Sequence, residues 1–196
     1  MVEFEDAMRS AHDAVAATAA ATKRDRLLIA ARRGDGMDVP EDQLRSLLDV
    51  AGALSDAGIP YALIGGIAVS IHSEVPRATQ DIDVAIPSSA SREAVSAALT
   101  EAGFELLGEF PHSLNLRHPS GERVQAAIDP AFDDMIDRAE EVDVAGVAIR
   151  IVTRDDLVAM KERSAADPAR RRSKALGDRA DIELLKGDVP DPDEGW

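Results

Sequence analysis

Two aspartates one residue apart, Asp81 and Asp83, stand at the head of an otherwise apolar run, Asp81-Ile82-Asp83-Val84-Ala85-Ile86. Aspartate is depleted in strands, and a strand sends alternate side chains to opposite faces. The run therefore predicts a strand that turns Ile82 and Val84 one way and presents both carboxylates on the other face. Like charges held side by side repel, and a divalent cation between them relieves the repulsion. Hard oxygen donors of this kind suit Mg²⁺, which takes one or two carboxylates and completes its shell with water and phosphate oxygens. Upstream, the apolar stretch Ile59 to Ile64 reads as a buried strand ending on Gly65-Gly66, with 14 residues between Gly66 and Asp81. Paired glycines let the backbone approach a bulky anion, and amides at the start of a following helix donate to phosphate oxygens. Carboxylates and glycines are complementary in charge, and together they predict a metal–nucleotide site.

The surrounding pattern supplies a frame for such a site. Residues 3–33 read as one helix, on the spacing of Phe4, Met8, Ala11 and Val15, and serve as a packing arm or an oligomer helix; Gly34-Asp35-Gly36 ends it. A second helix runs from Pro40 to about Asp56 on the stripe Leu44, Leu47, Leu48, Ala51 and Leu54. After Gly65-Gly66, Ile67 to His72 forms one or two helical turns. The Asp81–Ile86 strand is followed by a helix from Ser91 to Ala102. Three strands come next, Phe104 to Leu107, Leu114 to His118 and Arg123 to Asp129. A hairpin, Val142 to Val144 with Val147 to Val152, precedes two helices, Arg154 to Ala166 and Ala169 to Lys186. The implied organisation is an N-terminal helical extension (1–36), an α/β (α+β) domain with a mixed sheet flanked by helices (41–187), and a disordered acidic tail (188–196).

Composition narrows the function. With 22 Lys plus Arg against 37 Asp plus Glu, the formal charge of −15 restricts any nucleic-acid contact to local patches such as Arg170–Lys174. The absence of cysteine excludes disulfides, thiol catalysis and cysteine-ligated metals. No apolar run reaches the roughly 18 residues of a membrane span, and Glu3, Glu5 and Asp6 stand where a signal peptide carries positive charge. The expected setting is a soluble protein in the cytoplasm. The four histidines have no metal-ligand spacing, and His72, His112 and His118 read as polar surface or motif-adjacent groups.

Tyr61-Ala62-Leu63-Ile64-Gly65-Gly66-Ile67-Ala68 and Arg77-Ala78-Thr79-Gln80-Asp81-Ile82-Asp83 resemble the motif of the polymerase-beta-type nucleotidyltransferase superfamily. The closer resemblance is to its AbiEii/AbiGii-type toxin branch. Asp156-Leu157-Val158-Ala159-Met160-Lys161 looks like that branch's lysine-bearing helix, and Asp178-Arg179-Ala180-Asp181-Ile182 looks like its final helix. The resemblance implies a nucleotidyltransferase-like fold and transfer of a nucleoside monophosphate from an NTP to an acceptor hydroxyl on tRNA, a protein or a small molecule. It implies Mg²⁺ on Asp81 and Asp83, catalysis by Asp81, Asp83 and Lys161, and nucleotide binding by Gly65, Gly66, Arg77, Thr79, Lys161 and Asp178. An antitoxin partner is implied for a toxin of a toxin–antitoxin pair. On chemical grounds Lys161 suits a triphosphate as a compact charge, and Asp178 and Asp181, at i and i+3, share one helix face.

One position departs from the superfamily pattern. Its third carboxylate comes from a neighbouring strand, and the matching place in Arg123 to Asp129 holds Gln125, which is neutral. Asp129 is on the same strand face but about 13 Å away at ~3.3 Å per residue, too far to substitute. A non-catalytic nucleotide-binding or partner-binding module of the same fold is therefore the alternative reading, favoured by Gln125 and opposed by Asp81, Asp83 and Lys161.

Overall fold

The Asp81–Ile86 run forms the expected strand and lies at the centre of the sheet. The computed structural model describes residue 11, residues 13–21 and residues 43–187. Within these, the strands are β1 (Ala62–Ile64), β2 (Asp81–Ile86), β3 (Glu105–Phe110), β4 (Ser113–Arg117), β5 (Arg123–Ile128), β6 (Glu140–Val144) and β7 (Val147–Ile151). They build one sheet in the order β3-β4-β5-β2-β1-β7-β6. β2 runs antiparallel to β1 and parallel to β5, and β1 runs parallel to β7, so the sheet is mixed as expected. The helices are α1 (Gln43–Asp56), α2 (Gly65–Ser73), α3 (Arg92–Glu101), the short α4 (Asp133–Asp137), α5 (Arg154–Ala166) and α6 (Arg172–Lys186).

Strand alternation separates the two faces of the sheet. Ile82, Val84 and Ile86 align with Val124, Ala126 and Ile128 of β5, and Leu114 and Leu116 of β4 extend the same face; all are buried. The other face carries Asp81, Asp83, Gln125, Asn115 and Arg123. The order of the strands thus places a polar row over an apolar core, which is what lets two carboxylates sit in the middle of a sheet.

Element boundaries differ from expectation where side chains or loops intervene. β1 begins only at Ala62, because Pro60 lacks an amide and the Ile59 amide bonds the Leu54 carbonyl at 2.9 Å, closing the end of α1. Gly65 and Gly66 are not a free loop; they are the first turn of α2. The turn-and-helix at 130–137 was not expected. It is nucleated by Asp129, whose carboxylate accepts from the Ala131 amide at 2.9 Å, with Pro130 in the first turn. α5 starts on a Thr153 N-cap: the Asp156 amide donates to Thr153 Oγ1 at 3.2 Å, and the Thr153 hydroxyl donates to the Asp156 carboxylate at 2.9 Å. The last helix begins at Arg172 and not Ala169, because Asp167 holds the Ala169 and Arg170 amides in a turn.

Residues 13–21 are helical, and Ala11, Ala14 and Val15 belong to the same buried cluster as Leu47, Val50 and Leu54 of α1. The rest of the helix expected over 3–33, the Gly34–Gly36 boundary and the 188–196 tail lie outside the described residues. Among the described residues no helix is long and apolar enough to cross a membrane.

Candidate active site

Asp81 and Asp83 open onto a cleft of about 620 Å³, within the range of small-ligand sites. Its floor is the polar row of β2 and β5, its back wall the start of α2, and its far wall the α5–α6 pair. Gly65, Gly66, Arg77, Thr79, Asp81, Asp83, Lys161 and Asp178, all expected at the site, line it together. Gln125 lines it as well. β2 and β5 pair Asp83 directly with Gln125, so the amide occupies the neighbouring-strand position where the superfamily pattern has a carboxylate. Gln125 Nε2 donates to Asn115 Oδ1 at 3.5 Å across β4 and β5. Asp129 is engaged elsewhere, with His112 Nδ1 at 2.9 Å.

The glycines are demanded first by protein atoms. Gly65 has φ +73°, and a Cβ there would collide with the Asp83 carboxylate. A Cβ on Gly66 would stand 2.6 Å from Arg77 Nη1 and 2.8 Å from Thr79 Cβ. The missing side chains let the Arg77-x-Thr79-x-Asp81-x-Asp83 segment close onto the start of α2, so the two sequence motifs interlock. The Thr79 hydroxyl donates toward Asp81 Oδ1 at 3.4 Å, and the Arg77 amide donates to Ser70 Oγ at 3.1 Å.

Charge is unevenly balanced. Burial, together with the negative charge of Asp81, pushes the Asp83 carboxyl up to about 7, although Lys161, Lys174 and Arg77 pull the other way. A pair of carboxylates in this state fits a divalent cation. No cluster of three or more His, Asp or Glu side chains able to hold a metal occurs among the described residues. Asp81 and Asp83 are the two carboxylates that could hold a divalent cation here, water and phosphate oxygens being its usual other ligands.

Lys161 is only 8% exposed and is already engaged. Its ammonium donates to Asp181 Oδ2 at 2.7 Å and to Asp178 Oδ1 at 3.2 Å. Asp181 also pairs with Arg77 Nε, and Asp178 accepts from Arg170 Nε at 2.7 Å. The result is an alternating chain, Arg77–Asp181–Lys161–Asp178–Arg170, that ties the motif loop to both C-terminal helices. Burial raises the Asp178 carboxyl, but the Arg170 hydrogen bond and the Lys161 charge together outweigh it and hold it below the usual range. Asp178 and Asp181 are therefore buried members of an ion-pair network and not a solvated pair.

Lys174 makes no ion pair with any described residue, faces the cleft, and its charge acts on Asp83. Sequence reading grouped it with a basic strip; its spacing of four and seven from Asp178 and Asp181 was the signal that it shares their helix face. Arg171 and Arg172 are exposed. His118 corrects the expectation of a polar surface group. It is 5% exposed, bonds Asp49 Oδ2 at 2.9 Å and Ser120 Oγ at 2.7 Å, and packs edge-on against Phe104.

The profile of the family described as nucleotidyl transferase AbiEii toxin, type IV TA system, matches residues 46–186. The chain belongs to the AbiEii family. The matched span runs from α1 to the end of α6 and so contains the whole cleft. No curated protein matches the sequence. Several solved structures are similar. The lincosamide antibiotic adenylyltransferase LnuA superposes with TM-score 0.54 at 15% identity, over 75% of this chain and 98% of its own. ANT(2")-Ia, solved in complex with adenylyl-2"-tobramycin, gives TM-score 0.53 at 16% identity, over 76% and 90%. An antigenic nucleotidyltransferase-like protein from Paracoccidioides brasiliensis gives TM-score 0.52 at 22% identity, over 78% and 80%. At these identities the likeness is one of fold: the chain has a nucleotidyltransferase fold.

Proposed function

We propose that the chain transfers a nucleoside monophosphate from an NTP to an acceptor hydroxyl, with Mg²⁺ held by Asp81 and Asp83. The observation that carries this reading is the pairing of those carboxylates on one strand face, beneath a cleft whose opposite wall is cationic. The α2 amides at Gly65 and Gly66, with Arg77 and Lys174, hold the β- and γ-phosphates. Thr79 orients Asp81. Lys161, held by Asp178 and Asp181, keeps the cationic wall in place and adds positive potential toward the leaving pyrophosphate. A bound divalent cation supplies charge neutralisation at the α-phosphate and acidifies the attacking hydroxyl. The acceptor oxygen bonds to the α-phosphorus, the bond from that phosphorus to the bridging oxygen breaks, pyrophosphate leaves, and the hydroxyl proton passes to water.

The family's description as a toxin supports a second level of the reading, that transfer to a cellular acceptor arrests growth and that an antitoxin counters it. Gln125 supports the rival, a nucleotide-binding module without turnover. Incubation with each α-labelled NTP, Mg²⁺ and cell lysate separates them. Label on an acceptor that disappears in Asp81→Asn is the expected result; nucleotide binding without any label transfer establishes the rival.

A further inference from the structure

A second hollow, of about 290 Å³, opens beside the nucleotide cleft and shares only Asp81 and Gln125 with it. It lies over the β3–β4–β5 end of the sheet, and an irregularity in β3 builds it. β3 pairs Leu106 with Leu116, then slips so that Gly108 faces Asn115, leaving Leu107 as the extra residue. A bulge re-aims side chains, and this one brings Leu107 to the hollow. Phe110 lies close to bare backbone: its Cε2 would be 3.3 Å from a Cβ on Gly108. Leu107 and Phe110 are 41% and 52% exposed, so an apolar pair stands open beside the carboxylates. Facing them are the Asn115 and Gln125 amides and Arg123, which makes no ion pair with any described residue.

We propose that this hollow is the acceptor subsite, and that the acceptor is a small molecule with a flat or apolar ring, a hydroxyl and one anionic group. The assignment rests on the transferase reading above. The ring packs between Leu107 and Phe110, the anion meets Arg123, and the hydroxyl points to Asp81, at the border with the nucleotide cleft. Its oxygen bonds to the α-phosphorus of the NTP, pyrophosphate departs and the hydroxyl proton goes to water. The volume holds about one ring system with its substituents. A polynucleotide draws its affinity from several phosphate contacts. Among the described residues that line the hollow, Arg123 is the only cation and makes no ion pair; Arg117 is paired with Glu105, and Glu109 is exposed on the same edge strand as Glu105.

The test uses the full chain with 4-(hydroxymethyl)benzoate as the acceptor probe, measured by ligand-observed NMR, and a fluorescent ATP analogue as the nucleotide probe. Phe110→Ala and Arg123→Ala alter exposed side chains, and circular dichroism melting checks that both variants fold. Each is expected to weaken the benzoate probe at least fivefold and to leave nucleotide affinity within twofold, while Asp81→Asn weakens the nucleotide. Benzoate affinity unchanged in both variants, or no saturable benzoate binding while nucleotide binds, overturns the subsite. An eight-nucleotide RNA that binds more tightly than the benzoate and depends on Phe110 overturns the small-molecule assignment. Failure of the unmodified chain to bind nucleotide overturns the transferase reading itself, a result distinct from loss of the benzoate alone.

Discussion

The carboxylate of Asp83 occupies the space that a side chain on Gly65 would need. This contact joins a helix start to a strand 18 positions later in the chain, and it makes the glycine a structural requirement of the carboxylate pair. Gly65→Ala forces Asp83 to move and also places a Cβ at φ +73°, a strain of about 1–2 kcal/mol by itself. The expected outcome is a lower melting temperature together with weaker Mg²⁺-dependent nucleotide binding. Gly177→Ala is the control, since a Cβ there would meet only Arg77 Nη2 at 4.0 Å. In a helix interior that change is expected to be neutral or to stabilise by up to about 1 kcal/mol.

The raised Asp83 carboxyl fixes the sign of a pH effect. Its value of about 7 in the folded protein lies above the ordinary 3.8. The unfolded chain therefore loses this proton first as pH rises. Stability is fully present below the unfolded value, falls between about pH 4 and pH 7, and stays reduced above that. Denaturant titrations in EDTA are expected to show lower stability at about pH 8 than at about pH 5. Mg²⁺ is expected to restore much of the difference, because a cation on the pair favours the charged form. Asp83→Asn is expected to flatten the slope and abolish the Mg²⁺ response. An equal slope in that variant would place the effect on other groups.

The two motifs were legible in the sequence because each follows from short-range rules: alternation for Asp81 and Asp83, backbone freedom for Gly65 and Gly66. The position of Gln125 was legible too, since β5 follows its own alternation and pairs residue for residue with β2. What the pattern could not give is contact between distant segments. Arg77 and Asp181 are 104 positions apart, and nothing local announces that one neutralises the other. His118 was misread for the same reason: its partners Asp49 and Phe104 come from other elements, and a histidine in a polar stretch carries no mark of burial. The extra residue in β3 is likewise invisible to alternation, because a bulge appears only when a strand is laid against its partner.

Lys161 and Lys174 are expected to separate by their mutants. Lys161→Ala leaves Asp178 and Asp181, both buried, without the cation between them. Breaking a buried pair this way costs about 3–5 kcal/mol, partly offset here by Arg77 and Arg170. The variant should melt markedly lower. Lys174→Ala removes an exposed, unpaired cation, so its melting temperature should hold while triphosphate affinity falls more than monophosphate affinity. If Lys161→Ala instead kept its stability and lost triphosphate affinity alone, the direct phosphate role would belong to Lys161.

Gln125→Asp tests whether the neutral side chain limits turnover. The residue is paired with Asp83 across β2 and β5, so an aspartate there adds a third carboxylate to the same face without any change of register. Without metal, a third negative charge beside a pair that already repels is expected to lower the melting temperature. With Mg²⁺ the sign reverses, since three carboxylates can hold the cation more tightly and one can polarise the acceptor hydroxyl. The expected result is a Mg²⁺-dependent rise in both stability and label transfer relative to the unmodified chain. A rise in stability with transfer unchanged would mean that the metal is better held but that the acceptor hydroxyl is not activated from this strand, and that Gln125 does not set the rate.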